Sequence, residues 1–177
     1  MAEGDAGARR FDWTRFDIHF YFDEPPDVIR PRLETSHGLE SFFLASAEHL
    51  GPDGTARGPE EPARPGDAYR WTWRHGHSIE GSFLEPAEGA EVAFTFGPMR
   101  VDVHLVAVEG GTRLALDQSD IDDTEQGHVF GHMNCRICWV FFLANLKSVL
   151  ATGTDLRHTL PGRANAHEVG FRPPEGE

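Results

Sequence analysis

From Phe16 to Phe22 apolar and polar residues alternate, with Phe16, Ile18, Phe20 and Phe22 on one face and Asp17, His19 and Tyr21 on the other. A period of two predicts a half-buried strand. Asp23-Glu-Pro-Pro-Asp27 is an acidic, proline-marked helix start. It leads into a short helix through Val28, Ile29 and Leu33, which Pro31 weakens or bends. Ser36 to Leu44 reads as a second short helix anchored by Phe42 and Phe43. Gly51 to Gly66 holds four prolines, four glycines and little that is apolar, and predicts a loop.

Strands at hairpin spacing come next. Tyr69, Trp71 and Trp73 alternate with Arg70, Thr72 and Arg74. Beyond a His75-Gly76 turn, Ile79, Gly81 and Phe83 share a face. Val92, Phe94 and Phe96 make a further strand, Val101, Val103 and Leu105 another, and Leu114 with Leu116 the last. Glu85 to Ala90, Gly97-Pro98 and Glu109 to Gly111 supply the turns, giving about six antiparallel strands in all.

One long helix is predicted from about Thr124 to Thr152, closed by Gly153. On a helical wheel His128, His132, Cys135, Trp139, Phe142, Leu143, Leu146, Val149 and Leu150 form one stripe, expected to face the sheet. Phe130, Met133, Ile137, Val140, Phe141 and Ala144 form a second apolar stripe on the far side, which calls for a cover. Residues 154–177 read as a tail with Leu156, Leu160, Val169 and Phe171 as its few anchors.

Composition narrows the class. The 177 residues, 39% of them hydrophobic, fit one domain with a core large enough to need no disulfide or metal. The net charge of −13 argues against a nucleic-acid partner, because polyanions would be repelled. Both cysteines, Cys135 and Cys138, lie in one segment, which argues against a secreted disulfide framework. The first ten residues lack the apolar run of a signal peptide, and no uninterrupted apolar run approaches a membrane span. The expectation is a soluble, cytoplasmic chain with no membrane partner.

Strand, two short helices, a run of antiparallel strands and a long C-terminal helix is the order of the helix-grip fold. The chain resembles the START/Bet v 1-like (SRPBCC) superfamily, and within it bacterial proteins similar to the C-terminal domain of the Hsp90 ATPase activator Aha1. The resemblance is carried by residues 66–73 (Gly-Asp-Ala-Tyr-Arg-Trp-Thr-Trp) and 81–86 (Gly-Ser-Phe-Leu-Glu-Pro). Residues 92–96 (Val-Ala-Phe-Thr-Phe), 139–150 and the closing Gly153-Thr-Asp-Leu-Arg157 carry the rest. It spans roughly residues 14–157, leaving 158–177 as the tail of a single domain. It implies an α+β helix-grip architecture: a bent antiparallel sheet wrapped around the long helix, with an apolar cavity between them. It implies little about activity, and nothing here resembles the activator's separate N-terminal domain.

Three groupings could carry chemistry. His128, His132 and Cys135 follow one helix face with zinc-ligand types, but that stripe lacks an acidic fourth ligand, and satisfied histidines beside a cavity are the better account. No metal or other cofactor is expected. Cys135-x-x-Cys138 lies well inside the helix, away from the free N–H groups that lower a thiol pKa, so two small hydrophobes explain it better than a redox pair. The aromatic set, with a few polar groups, is what small-molecule cavities are made of. The expected ligand-binding residues are Phe42, Trp71, Trp73, Phe94, His132, Cys135 and Trp139, with Phe42 or Phe43 at the mouth, and the expected ligand is small and apolar or aromatic.

Two other function classes stay open: a cofactor-independent cyclase- or hydrolase-like enzyme using a cavity histidine, and a protein associated with an Hsp90-type chaperone. No catalytic residue is assigned, because no nucleophile elbow, phosphate loop or acid/base pair is present. For the far-side stripe, a homodimer centred on Phe130, Met133, Ile137, Val140 and Phe141 competes with coverage by the chain's own tail.

Overall fold

The computed structural model describes residues 11–160. Its elements in chain order are β1 (Phe16–Phe22), α1 (Pro26–Glu34), α2 (Ser36–Phe42), β2 (Ser46–Leu50), β3 (Ala68–Thr72) and β4 (Ser78–Ser82). They continue with β5 (Val92–Phe96), β6 (Met99–Val108), β7 (Gly111–Ser119), a π-helical segment (Gly127–Asn134) and α3 (Cys135–Thr152). All strand pairs are antiparallel, in two sheets of order β1-β7-β6-β5 and β2-β3-β4. The sheets join at one bridge, Phe83 to Phe94. This is the α+β helix-grip architecture, with seven strands rather than six.

The added strand is β2. Its alternation runs against hydropathy: His49 is buried and Leu50 exposed, so a search for apolar residues at every second position passes over it. β2 also places His49 inside the protein. α1 runs through Pro31, and α2 starts where the Thr35 hydroxyl accepts from the Gly38 N–H. The two helices cross closely at Gly38, where a Cβ would lie 2.2 Å from the Pro31 carbonyl oxygen.

Tyr69 and Gly81 show how the seam between the sheets is held. The Tyr69 hydroxyl crosses over Gly81 to donate to the Thr95 carbonyl, and a Cβ on Gly81 would lie 2.4 Å from that hydroxyl. Thr95 Oγ1 in turn accepts from the Ser82 N–H at 3.0 Å.

The C-terminal stretch departs from a tail at its start. Gly153 closes α3 in the left-handed region, as expected. Arg157, rather than Leu156 or Leu160, is then the buried anchor. It donates to the Leu44 and Glu40 carbonyls at 2.8 and 2.9 Å and to the Asp155 carboxylate. Asn145 on α3 donates to the Phe42 carbonyl at 2.7 Å and accepts from the Leu156 N–H. Burial opposes ionisation of Asp155, but the Arg157 guanidinium and N–H hold its carboxyl well below the usual carboxylate range. Val169 and Phe171 lie outside the described residues.

By length and composition Gly127–Thr152 is apolar enough to cross a membrane, contrary to the expectation from uninterrupted runs. In this fold Trp139, Phe142, Leu143 and Leu146 are buried, Asn145 makes the bonds just described, and Lys147 Nζ donates to the Tyr21 carbonyl at 3.0 Å.

Candidate functional site

A cavity of about 410 Å³ lies at the start of α3, where the two sheets part beyond the Phe83–Phe94 bridge. Trp73, His75, His77 and Ile79 wall it from the β3–β4 hairpin, and Phe96, Gly97 and Met99 from the β5–β6 turn. Asn134, Cys135, Cys138, Trp139 and Phe142 wall it from the helix, and Phe43 closes its inner end. The aromatic rings brace one another. The Phe43 ring stands 5.0 Å from Trp139, 5.3 Å from Trp73 and 4.8 Å from Phe142, and Phe96 lies 5.5 Å from Trp139.

Trp139 is fixed from behind by Gln118 on β7, which is fully buried. Gln118 Oε1 accepts the Trp139 indole N–H at 2.8 Å, and its Nε2 donates to the Gly131 carbonyl at 3.1 Å. One amide thus joins sheet, π-helical segment and cavity wall. Sequence reasoning missed Gln118. Its signal was a polar residue at an inward parity, level with Leu114 and Leu116.

Of the seven expected residues, Trp73, Cys135 and Trp139 line the cavity. Phe42 and Phe94 border instead a residual space of about 10 Å³ deeper under the helix, and Trp71 is wholly buried among Tyr69, Phe83 and Phe94. Neither Phe42 nor Phe43 covers the mouth as expected: both are buried, and Phe43, at the C-cap of α2, turns its ring to Trp73 at the inner end while Phe42 borders the deeper space.

His132 is the larger correction. It packs edge-on to Phe11, Trp13 and Phe16, away from the cavity. The cause is the π-helical stretch, whose wider i→i+5 turns break the 100° spacing that put His132 and Cys135 on one face. The expected line of His128, His132 and Cys135 is broken with it. His128 Nε2 pairs with Asp123 at 2.7 Å and its ring stacks on Trp13. Among the described residues no group of three His, Cys, Asp or Glu side chains is arranged for a metal ion. Phe11 and Trp13, not foreseen as a cover, line with Met133, Ile137 and Val140 an open cleft of about 530 Å³ on the far side of the helix. Phe130, Ile137 and Val140 nonetheless stay exposed.

The cavity's polar groups are one amide, two thiols and two imidazoles. Burial pushes the Cys135 thiol up, and burial with the neighbouring Cys135 pushes Cys138 up to about 11, so both are thiols rather than nucleophilic thiolates near neutral pH. Burial, then the nearness of His77, lowers the pKa of His75.

An antiparallel sheet gripping a long helix, with an aromatic-walled cavity at the grip's open end, defines a helix-grip protein. Residues 44–151 match the family model described as Activator of Hsp90 ATPase homolog 1-like protein. The chain belongs to that family. No curated protein sequence matches it. Solved structures agree in fold at low identity. A Staphylococcus saprophyticus protein superposes with a TM-score of 0.63 at 17% identity, over 81% of this chain and 96% of that one. The Aha1 dimer from Colwellia psychrerythraea gives 0.60 at 16%, over 78% and 97%. DynU16, from the dynemicin biosynthetic locus, gives 0.61 at 15%, over 85% of this chain and 49% of that one.

Proposed function

We propose that the protein binds a small apolar or aromatic molecule in the cavity between the β3–β4 hairpin, the β5–β6 turn and α3. The observation that carries this reading is the lining. Five aromatic rings and two aliphatic side chains surround about 410 Å³, with an amide, two thiols and two imidazoles among them. Small-molecule sites have this make-up and a volume of roughly 300–1,000 Å³. The Trp139–Gln118 bond and the interlocked rings give the walls fixed positions, so little ordering cost falls on binding.

Titration with aminoanthracene, a neutral aromatic fluorophore, tests the reading. Saturable emission enhancement is expected, together with its loss in Cys138→Phe, whose ring fills the cavity while far-UV circular dichroism stays native. Absence of saturable binding by the wild type, or undiminished binding by a folded Cys138→Phe, overturns it.

The exposed row Phe130, Ile137 and Val140 favours a second element of the reading, a homodimer through this face of the helix. The Colwellia psychrerythraea relative was solved as a dimer. Light scattering of the wild type and of Val140→Asp tests it: a dimer that Val140→Asp converts to monomer supports it, and a wild-type monomer removes it.

A further inference from the structure

The cavity's polar groups are unevenly placed. On the helix side are Asn134 and two protonated thiols, of which Cys135 is buried, while His75 and His77 stand together on the exposed hairpin, on either side of the Gly76 turn. Their rings stack 5.9 Å apart, and His77 also stacks on Trp73 at 5.8 Å. Among the described residues none hydrogen-bonds to either ring, so their nitrogens are available at the cavity's edge. Among the described residues the lining contains no carboxylate and no Lys or Arg. A bound ammonium would find no counter-charge there. A bound anion would meet two imidazoles, each able to donate a hydrogen bond when neutral and to take up a proton when the anion is present.

We infer that the ligand is a planar aromatic molecule with one acidic group, its rings held between Trp73, Phe96 and Trp139 and its acid held at the mouth by His75 and His77. This deepens the small-molecule reading and rests on it. An anion between the rings favours their protonated forms, so binding draws in a proton and tightens as pH falls. Among the described residues the rest of the lining adds no imidazole, carboxylate or amine: the β5–β6 turn contributes Phe96, Gly97 and Met99, the helix contributes the amide of Asn134 and two thiols, and α2 ends in Phe43. Arg74, beside the pair, is already committed to Asp155 at 2.6 Å.

Three shape-matched probes test the inference by calorimetry: naphthoate, naphthamide and naphthylmethylammonium. Naphthoate is expected to bind most tightly, and its advantage over the amide should shrink by about tenfold between pH 6 and 8, the scale set by uptake of one proton. His75→Gln/His77→Gln, at exposed turn positions, should bring naphthoate down to the amide's affinity in the same variant and abolish the pH dependence of the difference between the two. A pH-independent naphthoate advantage, or tightest binding by the ammonium, overturns the acid assignment while leaving the cavity reading intact. Failure of all three probes overturns both.

Discussion

At its Leu143 end α3 closes onto Leu33, Leu39, Phe42, Leu114 and Leu116, leaving about 10 Å³, hardly room for one water. Two turns earlier, at Cys135 and Trp139, the same helix stands over about 410 Å³. Helix and sheet supply aromatic and aliphatic side chains at both ends, so hydrophobicity does not explain the contrast. The short helices do. Leu33 of α1 and Leu39 and Phe42 of α2 plug one end, while at the other the sheets part beyond the Phe83–Phe94 bridge and no helix fills the gap. A cavity in this fold is therefore a place the plugs do not reach, and truncation should cost stability at one end and binding at the other.

The sharpest test sets Trp71→Ala against Ile79→Ala. Trp71 is wholly enclosed and joins Tyr69, Phe83 and Phe94, so its removal is expected to cost about 3–5 kcal/mol in urea denaturation. Ile79 lines the open end and is only partly buried, and its truncation should cost about 1 kcal/mol or less while weakening aminoanthracene binding. Equal losses of stability would erase the distinction between the two ends.

How far this division could be read from the residues follows from the signals involved. Alternation located six strands, and the apolar stripe with Gly153 located the long helix. Trp73, Cys135 and Trp139 were correctly brought to one place because strand parity and helical spacing both hold there. His132 was misplaced because the π-helical turns advance side chains by a different angle, and nothing in Gly127–Asn134 announces that change. His75 was visible only as a turn residue and His77 carried no signal of its own, since facing the cavity depends on how the β3–β4 hairpin leans toward α3. Arg157 was hidden because its partners, the Glu40 and Leu44 carbonyls, are backbone groups that no side-chain pattern marks.

A smaller effect is expected at the wall between the two ends. Gln118→Leu keeps an apolar side chain of similar size but leaves the Trp139 indole N–H and the Gly131 carbonyl without Gln118 as partner. A buried polar group left without a partner costs about 1–3 kcal/mol. The loss should appear in urea denaturation together with weaker aminoanthracene binding, because Trp139 belongs to both interiors. A stability loss with unchanged affinity would mean that Trp139 keeps its position without the amide.

The smallest expected effect probes the enclosed surroundings of Trp71 through a titrating contact, His49. His49 Nε2 accepts the Trp71 indole N–H at 3.3 Å, and its Nδ1 is buried without a hydrogen-bond partner. Burial lowers its pKa to about 4, with Asp67 pulling weakly the other way. The unfolded chain, near the ordinary 6.5, therefore binds this proton more readily than the folded one between those two values. Stability from this group is complete above about pH 6.5 and declines as the pH falls toward 4. At pH 5 the loss should be on the order of 1 kcal/mol, discounted for the partial solvation of the site. His75 and His132 are also lowered and add to the slope in the wild type, so the informative quantity is a difference. His49→Gln can still accept from Trp71 but does not titrate. Urea denaturation at pH 7 and 5 should show a smaller acid loss in His49→Gln than in the wild type, and equal losses would place the acid sensitivity elsewhere than at His49.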